Sequence, residues 1–137
     1  MSKVHVKTQM GVPAQQIWET IGKFGEIHNW HPAVETTTLE KGGTERRLAL
    51  VGGGEIVERL EAGDADGKSY TYSILSSPLP VANYKATIRV VEGADGKAEV
   101  EWSSEFEPQG QESDAMAVVR GIYETGFNNL KKMYGLS

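Results

Sequence analysis

Apolar and polar residues alternate along six stretches of the chain, a pattern that predicts six β-strands. The stretches are 34–40, 46–51, 55–61, 70–75, 84–91 and 98–106. Val4 and Val6 alternate in the same way and predict an opening strand. Short glycine-containing turns separate most of the strands, at 42–43, 52–54, 66–67 and 95–96. Because such turns supply the positive-φ positions of tight hairpins, we expect consecutive strands to be antiparallel neighbours.

Helical spacing occurs on both sides of the strand region. Pro13 suits the first turn of a short helix that Gly22 and Gly25 break, and a second brief helical piece must stop near His31, before Pro32. A long amphipathic helix closes the chain, with Ser113 as the expected cap and Gly135 as the terminator. Its apolar face comprises Ala115, Met116, Val119, Ile122, Tyr123, Gly126, Phe127, Leu130 and Met133. One straight helix cannot fill a strongly curved sheet, so the layout predicts a hollow.

The connection 76–80 differs from the other turns because it contains two prolines. It is either a plain loop or a rim over the mouth of a cavity.

Strand alternation also predicts which side chains point inward. On the last three strands the inward set is Tyr70, Tyr72, Ile74, Tyr84, Ala86, Ile88, Val90, Val100, Trp102, Ser104 and Phe106. Placing Leu48 and Leu50 inside also turns Arg46 inward, and placing Ile56 and Leu60 inside does the same to Glu58. A lone buried carboxylate is costly unless it is paired, hydrogen-bonded or protonated. Glu58 is therefore either the partner of Arg46 in a structural ion pair, a residue at an exposed strand end, or a general acid or base.

Several inward aromatic residues combine a large apolar body with one hydrogen-bonding group, the mixture expected in a pocket for an aromatic ligand. Each could equally be an ordinary core residue. The candidate ligand contacts are Trp30, His31, Arg46, Tyr84, Trp102, Ser104, Met116, Val119 and Tyr123, and the candidate catalytic residues are Glu58 and Tyr72. Trp30 is also interpreted as an anchor that holds the helical pair against the sheet, with His31 at the cavity mouth.

Composition limits the possible functions. The 137 residues contain no linker, so we expect a single domain over 1–137. A net charge of -5 with interspersed signs argues against nucleic-acid binding, and no stretch approaches the roughly 20 apolar residues of a membrane span. Without Cys there is neither a disulfide nor a thiolate nucleophile. His28 and His31 supply at most two ligands, so no metal and no cofactor is expected. A cytoplasmic monomer or homodimer is the default expectation.

The order of elements and several local motifs resemble the polyketide cyclase/dehydrase group of the START and Bet v 1-like (SRPBCC) superfamily. The matching segments are 17–18, 24–25, Ile27, 30–34, the glycine turn before 56–60, the aromatic run 70–74, the loop 78–81, and Trp102 with Phe106. The resemblance covers nearly the whole chain. It implies an α+β helix-grip fold, in which a seven-stranded curved antiparallel sheet wraps around the C-terminal helix. Two short helices follow strand 1 and close one end of a deep apolar cavity.

Three functions are compatible with this resemblance. The first is binding of a small hydrophobic or aromatic molecule, polyketide-, lipid- or hormone-like, in the cavity. The second is a cyclase or dehydratase in which Glu58 or Tyr72 moves a proton, with Arg46 as a further polar cavity residue. The third is a regulatory module whose rim, 76–81, closes over a ligand and presents a surface to another protein.

Overall fold

A computed structural model describes residues 1–135 of the chain, which form one seven-stranded sheet and two α-helices. The strands are β1 (Ser2–Gln9), β2 (Val34–Glu40), β3 (Glu45–Leu50), β4 (Glu55–Asp64), β5 (Ser69–Ser76), β6 (Val81–Glu92) and β7 (Ala98–Pro108). Their spatial order is β1-β7-β6-β5-β4-β3-β2, with antiparallel pairing throughout. Strands β2 to β7 therefore form a meander, and β1 adds to its last strand.

Two short helical segments connect opposite edges of this sheet. They are α1 (Ala14–Ile21) and a 3₁₀ segment (Phe24–Asn29), and they lead from β1 at one edge to β2 at the other. Pro13 is the N-cap of α1 and precedes its first turn. Gly22 ends α1 by donating its N–H to the carbonyl of Trp18 at 2.8 Å.

The sheet curves around the C-terminal helix α2 (Glu112–Met133), and the predicted helix-grip fold is confirmed. The buried positions of α2 are Ala115, Val119, Tyr123, Gly126, Phe127 and Leu130. All the predicted inward residues of β6 and β7 are buried as well. Met133 was assigned to the apolar face but is 48% exposed, because Leu130 is the last position of the stripe that the sheet covers.

The start of α2 differs from the prediction. Gln111 is the N-cap and makes no side-chain capping bond, so Ser113 lies inside the first turn and does not cap the helix. Glu112 and Asp114 lie in that turn, where negative charge is favourable to the helix dipole. Ser2 of β1 donates a hydrogen bond to Glu112 at 2.6 Å, which ties the helix start to the sheet edge.

The turns follow the prediction except at 66–67. Gly52, Gly53 and Gly54 all have positive φ, a conformation that glycine adopts without steric cost. Gly67 does not, and Lys68 has φ 51° instead. The reason is local: the Asp64 carboxylate accepts the N–H of Gly67 at 2.9 Å, and this side-chain bond shapes the turn.

Candidate functional site: an apolar cavity with a buried ion pair

An inner cavity of about 160 Å³ lies between the sheet, the 3₁₀ segment and α2. Most of its wall is apolar, and the polar groups that reach it belong to His31, Glu58, Tyr72, Tyr84 and Trp102. The apolar wall consists of Ile27, Ala33, Val34, Leu48, Leu50, Ile56, Ile74, Leu79 and Ile122. A cavity with these properties can hold a compact apolar molecule and can orient it with a few polar groups.

The cavity mouth lies between the start of β2 and the β5–β6 connection. Ala33 is exposed there, and Leu50, Ile74, Leu79 and Ile122 are half-buried. The connection is fixed by its own hydrogen bonds, because Ser77 accepts the N–H of Leu79 at 3.2 Å and the Leu79 carbonyl accepts the N–H of Val81 at 2.8 Å. The two-proline segment therefore contributes Leu79 to the rim.

The floor of the cavity carries an ion pair between neighbouring strands. Arg46 of β3 and Glu58 of β4 are directly opposed in the antiparallel register. The Arg46 Nε and Nη2 atoms lie 2.8 Å and 2.7 Å from the same carboxylate oxygen, Oε1 of Glu58. Arg46 is 0% exposed and Glu58 is 5% exposed, so each needs the other's charge. Of the alternatives that the sequence left open for Glu58, the structure shows the ion pair with Arg46 and excludes an exposed strand end.

The rest of the Arg46 guanidinium is held by backbone and aromatic groups. Its Nη1 atom donates to the Phe24 carbonyl at 2.9 Å. Its central carbon lies 4.2 Å from the centre of the Phe24 ring and 5.0 Å from that of Tyr72, in cation–π contact. Burial by itself lowers the pKa of Arg46, but the charge of Glu58 and the phenols of Tyr70 and Tyr72 outweigh it, so the pKa is raised.

Glu58 has one carboxylate oxygen left over. The hydrogen bond from Arg46 Nε and the ion-pair contact with Nη2 both involve Oε1, and Oε2 makes no hydrogen bond within residues 1–135. Since Glu58 borders the cavity, Oε2 is the oxygen that an occupant of the cavity can reach. Burial raises the pKa of Glu58, and the charge of Arg46 opposes that rise.

A chain of hydroxyl groups lies in the wall beside the ion pair. The indole N–H of Trp102 donates to the Tyr72 hydroxyl at 3.0 Å, which lies 3.3 Å from the Tyr84 hydroxyl. The Tyr84 hydroxyl is hydrogen-bonded in turn to that of Tyr123. Burial raises the pKa of all three tyrosines, because a phenolate in this wall would lose its solvation. The polar tips of this wall therefore bond mainly to one another.

His31 is held as one neutral tautomer. Its Nδ1 accepts the N–H of Ala33 at 3.2 Å, so its Nε2 is the atom that carries the proton and donates it to the Ile122 carbonyl at 2.8 Å. Burial lowers the pKa of His31, the Ile122 carbonyl opposes that shift, and the charge of Arg46 adds to it. Both ring nitrogens are therefore occupied by backbone groups.

Five of the predicted site residues line the cavity, and six do not. Glu58, Tyr72, His31, Tyr84 and Trp102 line the cavity. Trp30, Arg46, Ser104, Met116, Val119 and Tyr123 are not part of the lining. Trp30 and Tyr123 pack against Trp102, with ring centres 5.6 Å and 4.2 Å away. The proposed anchoring position of Trp30 agrees with this packing.

The sequence analysis did not name the apolar residues of the cavity lining as ligand contacts. Alternation places Leu48 and Ile56 inward, and this was the signal that could have identified them. They are paired on the neighbouring strands β3 and β4, and both line the cavity. Ala33 and Leu79 carry no such signal because they lie in connections. Their position at the mouth depends on the tertiary fold.

Larger clefts lie on the outer surface. The largest described, about 790 Å³, is bordered by turn residues and by charged side chains such as Lys97, Glu99 and Lys131. His28 contacts Thr37 at 2.8 Å and does not meet His31. In the part of the chain that the structure describes, no three His, Asp or Glu side chains gather as a metal site, and neither helix has the length and apolar character to cross a membrane.

Comparisons with known proteins agree with this architecture. The family model for "Polyketide cyclase / dehydrase and lipid transport" matches residues 1–135. MLP-like protein 423 of Arabidopsis thaliana is 26% identical over 140 residues, covering 93% of this chain and 90% of that protein. The solved structure of XoxI from Bacillus cereus is 34% identical with a TM-score of 0.95, covering 98% and 96% of the two chains. A Bacillus thuringiensis structure is 35% identical with a TM-score of 0.94, covering 97% and 98%.

Proposed function

The chain belongs to the polyketide cyclase/dehydrase and lipid transport family, whose members generally bind small hydrophobic ligands, and from this we propose that it binds one such molecule in the inner cavity. The observation that carries the proposal is the composition of the wall, with nine apolar residues and only five that bring polar groups. Removal of apolar ligand surface from water supplies the driving force, at about 25 cal/mol per Å² before ordering costs.

The volume of the inner cavity limits the size of the ligand. A dry apolar cavity of about 150 Å³ is known to accept a benzene ring, and the cavity here has about 160 Å³. The proposed occupant is therefore a compound of about one ring, or an aliphatic chain of similar volume. A polycyclic molecule would require the mouth at Leu79 and Ile122 to widen.

The test is ligand binding by a cavity-filling variant and a matched control. Val34 lines the cavity, whereas Val118 lies on the outer face of α2 and is 39% exposed. Val34→Phe should fill the cavity, and Val118→Phe makes the same change outside it. Toluene, indole and a short fatty alcohol are added to each protein, and the melting temperature and amide NMR shifts are measured.

Wild-type protein and Val118→Phe should be stabilised by at least one of these compounds, as mass action requires of a ligand that binds only the folded state. Val34→Phe should lose that stabilisation. If none of the three compounds binds, or if they bind Val34→Phe unchanged, the cavity is not the binding site.

A second candidate, proton transfer on the bound molecule, is favoured by one observation: the free oxygen of Glu58 borders an apolar cavity, and burial raises the pKa of that carboxyl. Glu58→Gln should then keep the affinity for a cyclisable polyketone of about one ring's volume but lose its turnover. Tyr72→Phe is the companion variant. Turnover that survives both changes would rule out these two residues as acid and base.

A further inference from the structure

We propose that the cavity selects neutral one-ring ligands that bear a hydrogen-bond donor, of the phenol or arylamine class, and that Glu58 Oε2 accepts that hydrogen bond. This inference rests on the proposed function, because it assigns the chemical class of the molecule in the same cavity. It gives Glu58 the role of a specificity-determining residue, which is separate from any role in proton transfer.

The geometry around Glu58 leaves one acceptor unused. Oε1 accepts the N–H of Arg46 Nε at 2.8 Å and lies 2.7 Å from Nη2 in the ion pair, and Oε2 accepts no hydrogen bond within the described residues. A carboxylate oxygen in an apolar cavity is costly unless it is hydrogen-bonded. Because Arg46 holds the Glu58 carboxylate through Oε1, Oε2 is already oriented before a ligand binds.

The other polar groups of the lining are already engaged. Both ring nitrogens of His31 are bonded to backbone groups. The Tyr72 hydroxyl accepts from Trp102 and contacts the Tyr84 hydroxyl, which bonds to Tyr123. Among the cavity-lining polar groups in residues 1–135, Glu58 is therefore the one with an acceptor that faces no protein donor.

The charge balance excludes ionic ligands. Arg46 and Glu58 form a neutral pair, so a ligand cation or carboxylate would bring an uncompensated charge into the interior. A ligand carboxylate would also face the carboxylate of Glu58. The guanidinium cannot compensate, because Arg46 is 0% exposed and does not border the cavity.

The position of Glu58 along its strand sets the orientation of the ligand. Glu58 lies two residues beyond Ile56 on β4, and both face the cavity. Two residues of a strand span about 7 Å, which is close to the length of one substituted ring. The donor end of the ligand therefore points to the floor, and its apolar end lies toward Leu79 at the mouth.

The test compares phenol, toluene and anisole, which share one ring. Phenol offers a donor, toluene replaces the hydroxyl with a methyl group, and anisole has an acceptor without a donor. Binding is measured by calorimetry on the wild-type protein and on the double variant Arg46→Met/Glu58→Leu. The double variant removes the acceptor without leaving an unpaired buried charge.

We expect the phenol-to-toluene affinity ratio to fall by about tenfold in the double variant. Anisole should follow toluene in both proteins. In the wild type, the ¹³C resonance of the Glu58 carboxyl should shift on saturation with phenol and stay in place with toluene, a measurement that holds even if the double variant does not fold.

Two results would overturn the inference in distinguishable ways. If phenol and toluene both bind but their ratio is the same in the two proteins, or if anisole gains as much as phenol, Glu58 does not accept a donor and the cavity remains a binding site. If none of the three compounds binds, the proposed function fails together with the inference.

Discussion

Gly126 of α2 lies directly against the imidazole of His31: a β-carbon at position 126 would stand 2.7 Å from Cδ2 of that ring and 3.0 Å from Cζ3 of Trp30. The same helix face accepts a hydrogen bond from His31 at the Ile122 carbonyl, and Asn129 donates one to the Trp30 carbonyl, each at 2.8 Å. The segment that contains Trp30 and His31 is therefore fixed to α2 by close packing against Gly126 and by two hydrogen bonds.

Gly126→Ala should destabilise the fold by about 1–3 kcal/mol, because the added methyl group overlaps His31 and forces the segment off the helix. Gly121→Ala on the same helix is the control, since nothing lies within 4 Å of its β-carbon position. That change should stabilise by about 0.5–1 kcal/mol through helix propensity. Chemical denaturation checks both values, and a Gly126→Ala protein as stable as Gly121→Ala would contradict the packing described.

His31 should make the stability depend on pH below about 6.5. Its folded-state pKa is lowered, first by burial, so the unfolded chain takes up a proton at a pH where the folded imidazole does not. Stability is then complete above the ordinary histidine pKa and falls as the pH drops below it, by at most about 1.4 kcal/mol per pH unit. Denaturation midpoints measured through this range should lose that slope in His31→Asn. An equal slope in both proteins would show that His31 is not the group responsible.

Breaking the buried ion pair should cost about 3–5 kcal/mol, because Arg46→Met leaves the Glu58 carboxylate uncompensated. The double variant Arg46→Met/Glu58→Leu should recover most of this loss. The surface pair Arg89–Glu101, with an N–O distance of 3.1 Å, is the control and should contribute about 0–1 kcal/mol. A double-mutant cycle by urea unfolding measures both pairs, and additive losses for Arg46 and Glu58 would argue against direct coupling.

The phenols of Tyr72, Tyr84 and Tyr123 should resist ionisation while the protein is folded. Burial raises their pKa, so above about pH 10 the unfolded chain releases protons that the folded state retains, and stability falls as the pH rises. Phenolate absorbance from these three side chains should appear together with the loss of near-ultraviolet circular dichroism. Tyr84→Phe should remove one phenol from that step and lower stability by about 1–3 kcal/mol, because it strips a partner from two buried hydroxyls.

Several of the side chains that form the candidate site could be predicted from the sequence to point inward. Alternation correctly turned Glu58 and Trp102 inward, because successive side chains on a strand point to opposite faces whatever surrounds the strand. The Arg46–Glu58 pair was one of three alternatives for Glu58, and the register of β3 and β4 decided in its favour. The predicted start of α2 was wrong by two residues, because Ser113 was the expected cap and Gln111 is the N-cap. Glu112 in the first turn interacts with Ser2, which lies 110 positions away, and local sequence patterns do not report such a contact.

What the sequence by itself determined is the pairing of consecutive strands from β2 to β7, the presence of the long helix that they enclose and most of the residues that face inward. These depend on backbone periodicity and turn chemistry, which act over a few residues. Only the tertiary structure decided which inward residues border open space. Tyr123 is inward but stacks on Trp102, whereas Leu79 lies in a connection and yet reaches the cavity. Whether an inward residue borders the cavity or packs against another side chain depends on distances between elements that are far apart in the chain. The curvature of the sheet and the close approach of α2 at Gly126 set these distances.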